Sequence, residues 1–180
     1  RMNGDITLYS EINNGSSFVF YLPIDANCEE IFHNNHHEKE IKALIVDDFW
    51  TDLYLGKCLL EQKGVKVVTA SNRKEAMEKY QEGGGGFDLV LMDVEMGEMG
   101  GYMAAVDIRK WEIKNKMKGG EMYLVTGEDG IEREVKNKYG RLGGNVEEVR
   151  YLKKPLDTEK VKKIVEGLLE NHEGLSGRNI

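Results

Sequence analysis

The amino-acid sequence predicts an α/β domain built on a doubly wound parallel sheet. Apolar runs of 4–7 residues recur in its central part, as expected of buried strands; they are residues 42–47, 65–69, 87–92, 121–126 and 149–153. Amphipathic segments separate these runs, and such alternation favours a parallel sheet covered by helices on both faces. Sheets of this class bind ligands at the carboxyl ends of their strands.

Ahead of this domain, residues 1–23 contain two short alternating segments, 6–9 and 18–22, which predict a β-hairpin. Asn13-Asn14-Gly15 lies between them and suits a tight turn. An isolated hairpin is only marginally stable in water, so we expect it to need a further sheet or to pack on the main domain. The polar residues 24–40 predict a linker. Since Arg1-Met2 begins within a strand-like pattern, we interpret the chain as a fragment of a longer protein.

The helices of the main domain are indicated by apolar spacing and by their end signals. Leu55, Cys58 and Leu59 predict one face of the first helix, which Gly64 would end. Residues 83–86 are all glycine, but no Gly-Lys-Ser/Thr follows, so they predict a flexible connection rather than a phosphate loop. Asp157 is expected to cap the last helix. We place the end of the domain at residue 171 and a flexible tail at 172–180.

Composition excludes several classes of function. The formal charge of -7 disfavours non-specific binding to nucleic acid. No apolar run approaches the ~18 residues of a membrane span, and no signal peptide is visible. Cys28 and Cys58 lack metal-ligand spacing, which favours a reducing, cytoplasmic location. The spacing of His33, His36 and His37 matches no strong metal motif, so these side chains are expected to be solvated.

Polar residues follow or close the predicted strands and should meet at one edge of the sheet. They are Asp47, Asp48, Asp93, Thr126, Tyr151 and Lys154. Converging carboxylates repel one another, and a hard cation such as Mg²⁺ relieves that repulsion. Asp48 and Asp93 can supply direct oxygen ligands, and Asp47 a ligand acting through water. A carboxylate beside such a cation can attack phosphorus and form an aspartyl phosphate. Lys154 and Thr126 can then neutralise the developing charge.

Each of these residues also has an ordinary structural interpretation. Asp47 or Asp48 alone would most often cap a helix, and Lys154 alone would be a solvated surface residue. Thr126 alone would be a turn residue. Their order at successive strand ends is hard to explain by caps and turns, and therefore favours a phosphoryl site.

Residues 41–170 resemble a response-regulator receiver domain, the phosphoacceptor module of two-component signalling. The resemblance implies a flavodoxin-like (βα)5 fold with strand order 2-1-3-4-5. It makes Asp93 the phosphoacceptor, and Asp47-Asp48 the metal-binding acids for Mg²⁺, with Mn²⁺ as a possible substitute. It also makes the carbonyl of Glu95 a metal ligand, Thr126-Gly127 the hydroxyl–small pair and Tyr151 the aromatic switch. The Lys154-Pro155 peptide bond is expected to be cis.

Residues 3–6 and 13–23 resemble the end of a histidine-kinase ATP-binding domain. This order implies a hybrid histidine kinase, with domain boundaries at 1–23, 24–40, 41–171 and 172–180. The resemblance implies that Asp93 accepts a phosphoryl group from a phosphohistidine and relays it to a histidine phosphotransfer protein. The fragment lacks the kinase core, so it is not expected to bind ATP. It is also not expected to bind nucleic acid or to contact a membrane directly.

Departures from the family pattern concern the surfaces around the site. Gly97 stands where a proline is usual, and extra residues surround 140–144, which alters a surface that receivers often use for partners. Trp50 is expected either to overhang the metal site or to contact a partner.

Two other functions stay open on the sequence. One is a receiver-fold docking module that is never phosphorylated, against which the intact acids, threonine and lysine argue. The other is a metal-dependent phosphatase similar to haloacid dehalogenases, which need Asp-x-Asp. Glu95 replaces the second acid here and Gly97 a required threonine.

Overall fold

The computed structural model describes residues 5–11, 15–21, 40–97, 100–127, 132–145 and 149–176. The chain divides into two compact units between residues 36 and 37. The first contains two antiparallel strands, β1 (Asp5–Glu11) and β2 (Gly15–Tyr21), paired from Asp5 with Tyr21 to Glu11 with Gly15. This pairing confirms the predicted hairpin. The turn at 13–14 lies outside the described residues, as do most of the predicted linker and the three histidines at 33, 36 and 37.

The second unit alternates strands and helices along its whole length. The strands are β3 (Lys42–Val46), β4 (Lys66–Ala70), β5 (Leu89–Asp93), β6 (Glu121–Thr126) and β7 (Val149–Lys153). The helices are α1 (Trp50–Glu61), α2 (Arg73–Glu82), α3 (Gly100–Lys114), α4 (Glu132–Arg141) and α5 (Thr158–Ser176). All neighbouring strand pairs are parallel and lie in the order β4-β3-β5-β6-β7. Counted within this unit, the order is 2-1-3-4-5, which confirms the predicted fold.

Alternate residues of each central strand face two separate apolar cores. In β3, Leu44 and Val46 pack with side chains of α2 and α3, whereas Ala43 and Ile45 pack with α1 and α5. Every residue of β5 is buried. Because strand side chains alternate between faces, a strand buried on both sides must be apolar throughout. The continuous apolar runs of the sequence therefore mark the middle of the sheet.

The two ends of α5 illustrate how local sequence sets helix boundaries. The Asp157 carboxylate accepts a hydrogen bond of 2.8 Å from the backbone N–H of Lys160, so Asp157 caps the helix as predicted. The helix continues to Ser176, whereas the sequence predicted a flexible tail from residue 172. Residues 170–173 are Glu-Asn-His-Glu, all of which a helix tolerates, so nothing in that stretch ends it.

The four glycines after α2 form an ordered turn. Backbone hydrogen bonds of 2.9 Å join Gly84 to Gln81 and Gly85 to Tyr80. Both glycines have positive φ, and a Cβ on Gly85 would lie 2.6 Å from the ring of Trp111. The glycines are therefore required by backbone conformation and packing, and the connection is more specific than the flexible linker that composition predicted.

A buried polar cluster ties α2 to α3 at the opposite end of the sheet from the predicted site. The Glu112 side chain is 4% exposed and accepts hydrogen bonds from the Tyr80 hydroxyl and, at 2.8 Å, from Arg109. Arg109 also donates to the carbonyl of Gly120 at 2.9 Å. Burial, followed by the hydrogen bond to Glu112, raises the pKa of Tyr80. The cluster therefore supplies hydrogen-bond donors to the buried Glu112 carboxylate.

Candidate phosphoacceptor and metal site

The predicted carboxylates converge at the carboxyl ends of β3 and β5. These strands are neighbours, and the register pairs Val46 with Met92, so Asp47 and Asp93 follow a matched pair. One ligand oxygen from each of Asp47, Asp48 and Asp93 lies within 4.8 Å of the others. Asp47 and Asp93 are 4% and 1% exposed, whereas Asp48 is exposed. The structure therefore brings the three predicted acids together and leaves one of them facing solvent.

The Asp93 carboxylate is only partly satisfied by the residues around it. Its Oδ1 accepts a long hydrogen bond of 3.3 Å from the backbone N–H of Glu95 and lies 3.3 Å from Lys154 Nζ. Its Oδ2 is buried and has no hydrogen-bond partner among the described residues. Burial, and then repulsion by Asp47, raise the pKa of Asp93 to about 6, although Lys154 opposes that rise. A buried, partly unpaired carboxylate beside two other acids suits a bound cation.

Lys154 supplies the positive charge of the site. Its Nζ lies 2.7 Å from Asp47 Oδ2 and 2.9 Å from Asp52 Oδ2. Burial disfavours the charged lysine, but these hydrogen bonds and the charge of Asp93 outweigh burial and raise the pKa of Lys154. Lys154 is therefore a half-buried, charged ammonium among carboxylates, contrary to the solvated lysine that the residue alone would suggest.

Thr126 lies on β6 and Tyr151 on the neighbouring strand β7, and both side chains are on one face of the sheet. Thr126 closes β6, and its hydroxyl is 3.4 Å from a carboxylate oxygen of Glu95. Tyr151 pairs with Leu124, two residues before Thr126, so the side chains of Tyr151 and Thr126 share a face. Tyr151 is half-buried, and the ammonium of Lys136 on α4 lies 5.2 Å from its ring centroid. The Lys154-Pro155 bond is cis.

The structure adds Asp52, which the sequence reasoning missed. α1 begins at Trp50, so Asp52 occupies its first turn. It follows Asp48 by four positions in the sequence, and an acid at this spacing was a signal that the sequence offered. Acids in first turns commonly stabilise the helix dipole, however, and that interpretation hides any second role. Trp50 is 74% exposed, so it is a surface residue rather than part of the core.

A small cavity adjoins the charged residues. Its lining includes Asp47, Asp52, Asp93 and Lys154, together with apolar side chains such as Leu91. The cavity volume is about 20 Å³, which is enough for about one water molecule.

Comparison with known proteins decides the family. The profile of the response regulator receiver domain matches residues 43–166. The chain belongs to the response regulator receiver domain family. This receiver is 30% identical over 116 residues to the autoinducer 2 sensor kinase/phosphatase LuxQ of Vibrio vulnificus, covering 61% of the chain and 13% of LuxQ. It is 36% identical over 85 residues to two-component response regulator 24 of Arabidopsis thaliana, covering 47% of the chain and 60% of that protein.

Solved structures agree with this assignment. A CheY-like receiver domain protein from Methanospirillum hungatei matches with a TM-score of 0.58 and 26% identity, covering 76% of this chain and 99% of that chain. The co-crystal structure of the Saccharomyces cerevisiae histidine phosphotransfer protein Ypd1 with the receiver domain of Ssk1 matches with a TM-score of 0.57 and 25% identity. That match covers 69% of this chain and 85% of the other. None of the helices formed by described residues has both the length and the apolarity needed to cross a bilayer.

Proposed function

We propose that this receiver accepts a phosphoryl group on Asp93 from a phosphohistidine and passes it to a histidine phosphotransfer protein. The observation that carries the proposal is the buried Asp93 carboxylate, which has one unpaired oxygen, two neighbouring acids and an ammonium 3.3 Å away. In the transfer, the P–N bond of the phosphohistidine breaks and a P–O bond to Asp93 forms. The electron pair of the broken bond goes to the imidazole nitrogen, which takes a proton from solvent.

Asp48 and Asp93 would hold Mg²⁺ or Mn²⁺ directly, and Asp47 would act through a water molecule. The main-chain carbonyl of Glu95 would complete the protein ligands. Oxygen donors of this kind suit a hard divalent cation, which would neutralise part of the phosphoryl charge when bound. The clustering of the three acids and the unpaired Asp93 Oδ2 support this assignment.

Lys154 and Thr126 act on the side of the phosphoryl group away from the metal ligands. The ammonium of Lys154 balances the negative charge of an aspartyl phosphate, and the Thr126 hydroxyl donates a hydrogen bond to it. Movement of Thr126 towards the phosphoryl group vacates space on the face that it shares with Tyr151. Tyr151 then turns inward, leaves Lys136 and changes the surface formed by α4, β7 and α5.

The wider context follows from the relatives. The chain spans only 13% of the length of LuxQ, so the activity of the protein to which this receiver belongs is part of the proposal. We infer a hybrid histidine kinase parent, with residues 1–23 as the last part of its ATP-binding domain. A cytoplasmic location and a phosphotransfer partner fit this context, and the Ypd1–Ssk1 complex offers a precedent for such a partner.

Intact-mass measurement after incubation with Mg²⁺ and acetyl phosphate tests the proposal. We expect one added phosphoryl group on the wild type, none on Asp93→Asn, and none after EDTA treatment. If the wild type gains no group, a phosphorylated phosphotransfer protein serves as the second donor. Failure with both donors would reject the phosphoacceptor function in favour of a docking module that is not phosphorylated.

A further inference from the structure

One ammonium is shared among three carboxylates in this receiver, and the sharing is unequal. Lys154 Nζ is 2.7 Å from Asp47, 2.9 Å from Asp52 and 3.3 Å from Asp93. The contacts with Asp47 and Asp52 are hydrogen bonds, whereas the longer contact with the acceptor is an ion pair. Lys154 is therefore held more closely by Asp47 and Asp52 than by the residue whose phosphorylation it would support.

The two hydrogen-bonded acids differ in how firmly they can hold Lys154. The Asp47 side chain is 6% exposed, so breaking its contact leaves a buried charge without its partner. The Asp52 side chain is 42% exposed, and water can replace the lysine there. Asp52 also lies outside the group of acids whose oxygens could share a cation. Of the two contacts, the one with Asp52 is the easier to release.

We propose that Asp52 is a positioning residue that holds Lys154 back from Asp93 until a phosphoryl group arrives. This inference rests on the proposed phosphoacceptor function. Before transfer, the Asp52 carboxylate competes for the ammonium and adds negative charge near the incoming phosphate. During transfer, Lys154 Nζ leaves Asp52, which is then solvated, and moves to the phosphoryl oxygens. Asp52 thus slows phosphorylation by acting through Lys154 rather than by touching the reacting atoms.

The direct test measures the initial rate of phosphorylation of the whole chain by acetyl phosphate at saturating Mg²⁺. Asp52→Asn removes the competing charge and is expected to raise the rate about threefold to tenfold. Asp52→Glu keeps a carboxylate and should stay within about twofold of the wild type. Asp107→Asn is the matched control. Asp107 on α3 also forms an ion pair, at 2.6 Å from Arg73 on α2. This variant should leave the rate unchanged.

A double-mutant cycle separates action through Lys154 from a direct effect of the Asp52 charge. Mg²⁺ affinity is measured from the change in tryptophan fluorescence on titration with Mg²⁺. The proteins compared are the wild type, Asp52→Asn, Lys154→Met and the double variant. Removing Asp52 lets Lys154 approach the other acids and compete with Mg²⁺. Asp52→Asn should therefore lower the Mg²⁺ affinity by a larger factor when Lys154 is present than when it is replaced by Met. We expect a coupling of about threefold or more.

The outcomes are distinct. A faster Asp52→Asn, normal rates for the two comparison variants and a measurable coupling would support the proposal. An unchanged or slower Asp52→Asn, or a coupling within about twofold of unity, would overturn it while leaving phosphorylation of Asp93 intact. A wild type that takes up no phosphoryl group from either donor would instead refute the proposed function, and the role of Asp52 would fall with it.

Discussion

Gly101 gives the sharpest prediction about how the fold supports the site. It lies at the start of α3, where the helix passes directly over the end of β5. A Cβ at this position would lie 1.8 Å from the Asp93 carbonyl oxygen and 2.8 Å from its carbonyl carbon. Ordinary contact begins at 3.4 Å, so the helix and the strand end would have to separate by about 1.6 Å. Both partners are backbone, which cannot relieve the clash by changing a rotamer.

The expected size of the effect combines two opposing contributions. Overpacking of this kind costs about 1–3 kcal/mol. Alanine favours a helix over glycine by about 1 kcal/mol, which offsets part of the loss. We expect Gly101→Ala to lower the free energy of unfolding by about 2 kcal/mol, because the clash involves rigid backbone on both sides. Asp93 would shift with its main chain, so Mg²⁺ affinity should also fall.

Urea unfolding compares this variant with two other glycine-to-alanine changes in helices. A Cβ on Gly167 would meet nothing within 4 Å beyond its own stretch of helix, and a Cβ on Gly100 would lie 3.5 Å from the Cβ of Met96. Gly167→Ala should stabilise the protein by about 0.5–1 kcal/mol, and Gly100→Ala should be close to neutral. With a slope of about 2 kcal/mol per molar urea, Gly101→Ala should lose about 1 M in its midpoint. A Gly101→Ala midpoint equal to that of Gly167→Ala would refute the reasoning.

Three further predictions concern other parts of the receiver. Trp50→Ala should change the free energy of unfolding by less than about 0.5 kcal/mol, because Trp50 is 74% exposed. The variant should slow phosphoryl transfer from a phosphotransfer protein more than transfer from acetyl phosphate. Equal slowing with both donors would argue against a partner contact at Trp50. Glu112→Ala should lower the urea unfolding free energy by about 3–5 kcal/mol, because Arg109 is left buried without its acid, and a loss below about 1 kcal/mol would contradict this. The Glu75 pKa is lowered from 4.5 to about 2, first by the hydrogen bond from Lys79. The Glu75 carboxylate therefore stabilises the fold fully above pH 4.5, and this stabilisation is lost as the pH falls towards 2. At pH 6, Glu75→Gln should have a free energy of unfolding about 0.5 kcal/mol below that of the wild type. This difference should be smaller at pH 3.

The sheet and most of the site could be predicted because their signals are local. A strand buried on both faces must be a continuous apolar run, and β3, β5 and β6 each have one. The polar residue that ends such a run is fixed at the carboxyl edge by the strand itself. Asp93 and Thr126 could therefore be placed without knowing any tertiary contact.

Other features depend on contacts between distant residues and carry no local signal. Asp52 contacts Lys154 across 102 positions of the chain, and Tyr80 reaches Glu112 across 32. Each residue is ordinary in its own helix. The four glycines after α2 predicted flexibility because composition does not reveal that Trp111 packs against one of them. These features require the packed structure, since a helix pattern does not specify which neighbour a polar side chain meets.

The charge balance of the site explains why its parts depend on one another. The site contains four acids, Asp47, Asp48, Asp52 and Asp93, and one ammonium, so its net charge is strongly negative without a cation. Water can screen Asp48, which is exposed, and Asp52, whose side chain is 42% exposed, but not the two buried acids. The fold therefore tolerates an unfavourable charge distribution at the end of its most completely buried strands. Under the proposed function, a cation and a phosphoryl group would bring opposite charges to this place, and each would make the other easier to bind. The same imbalance holds Lys154 among its acids, so under the proposed function the position of that one side chain would link metal binding to phosphorylation.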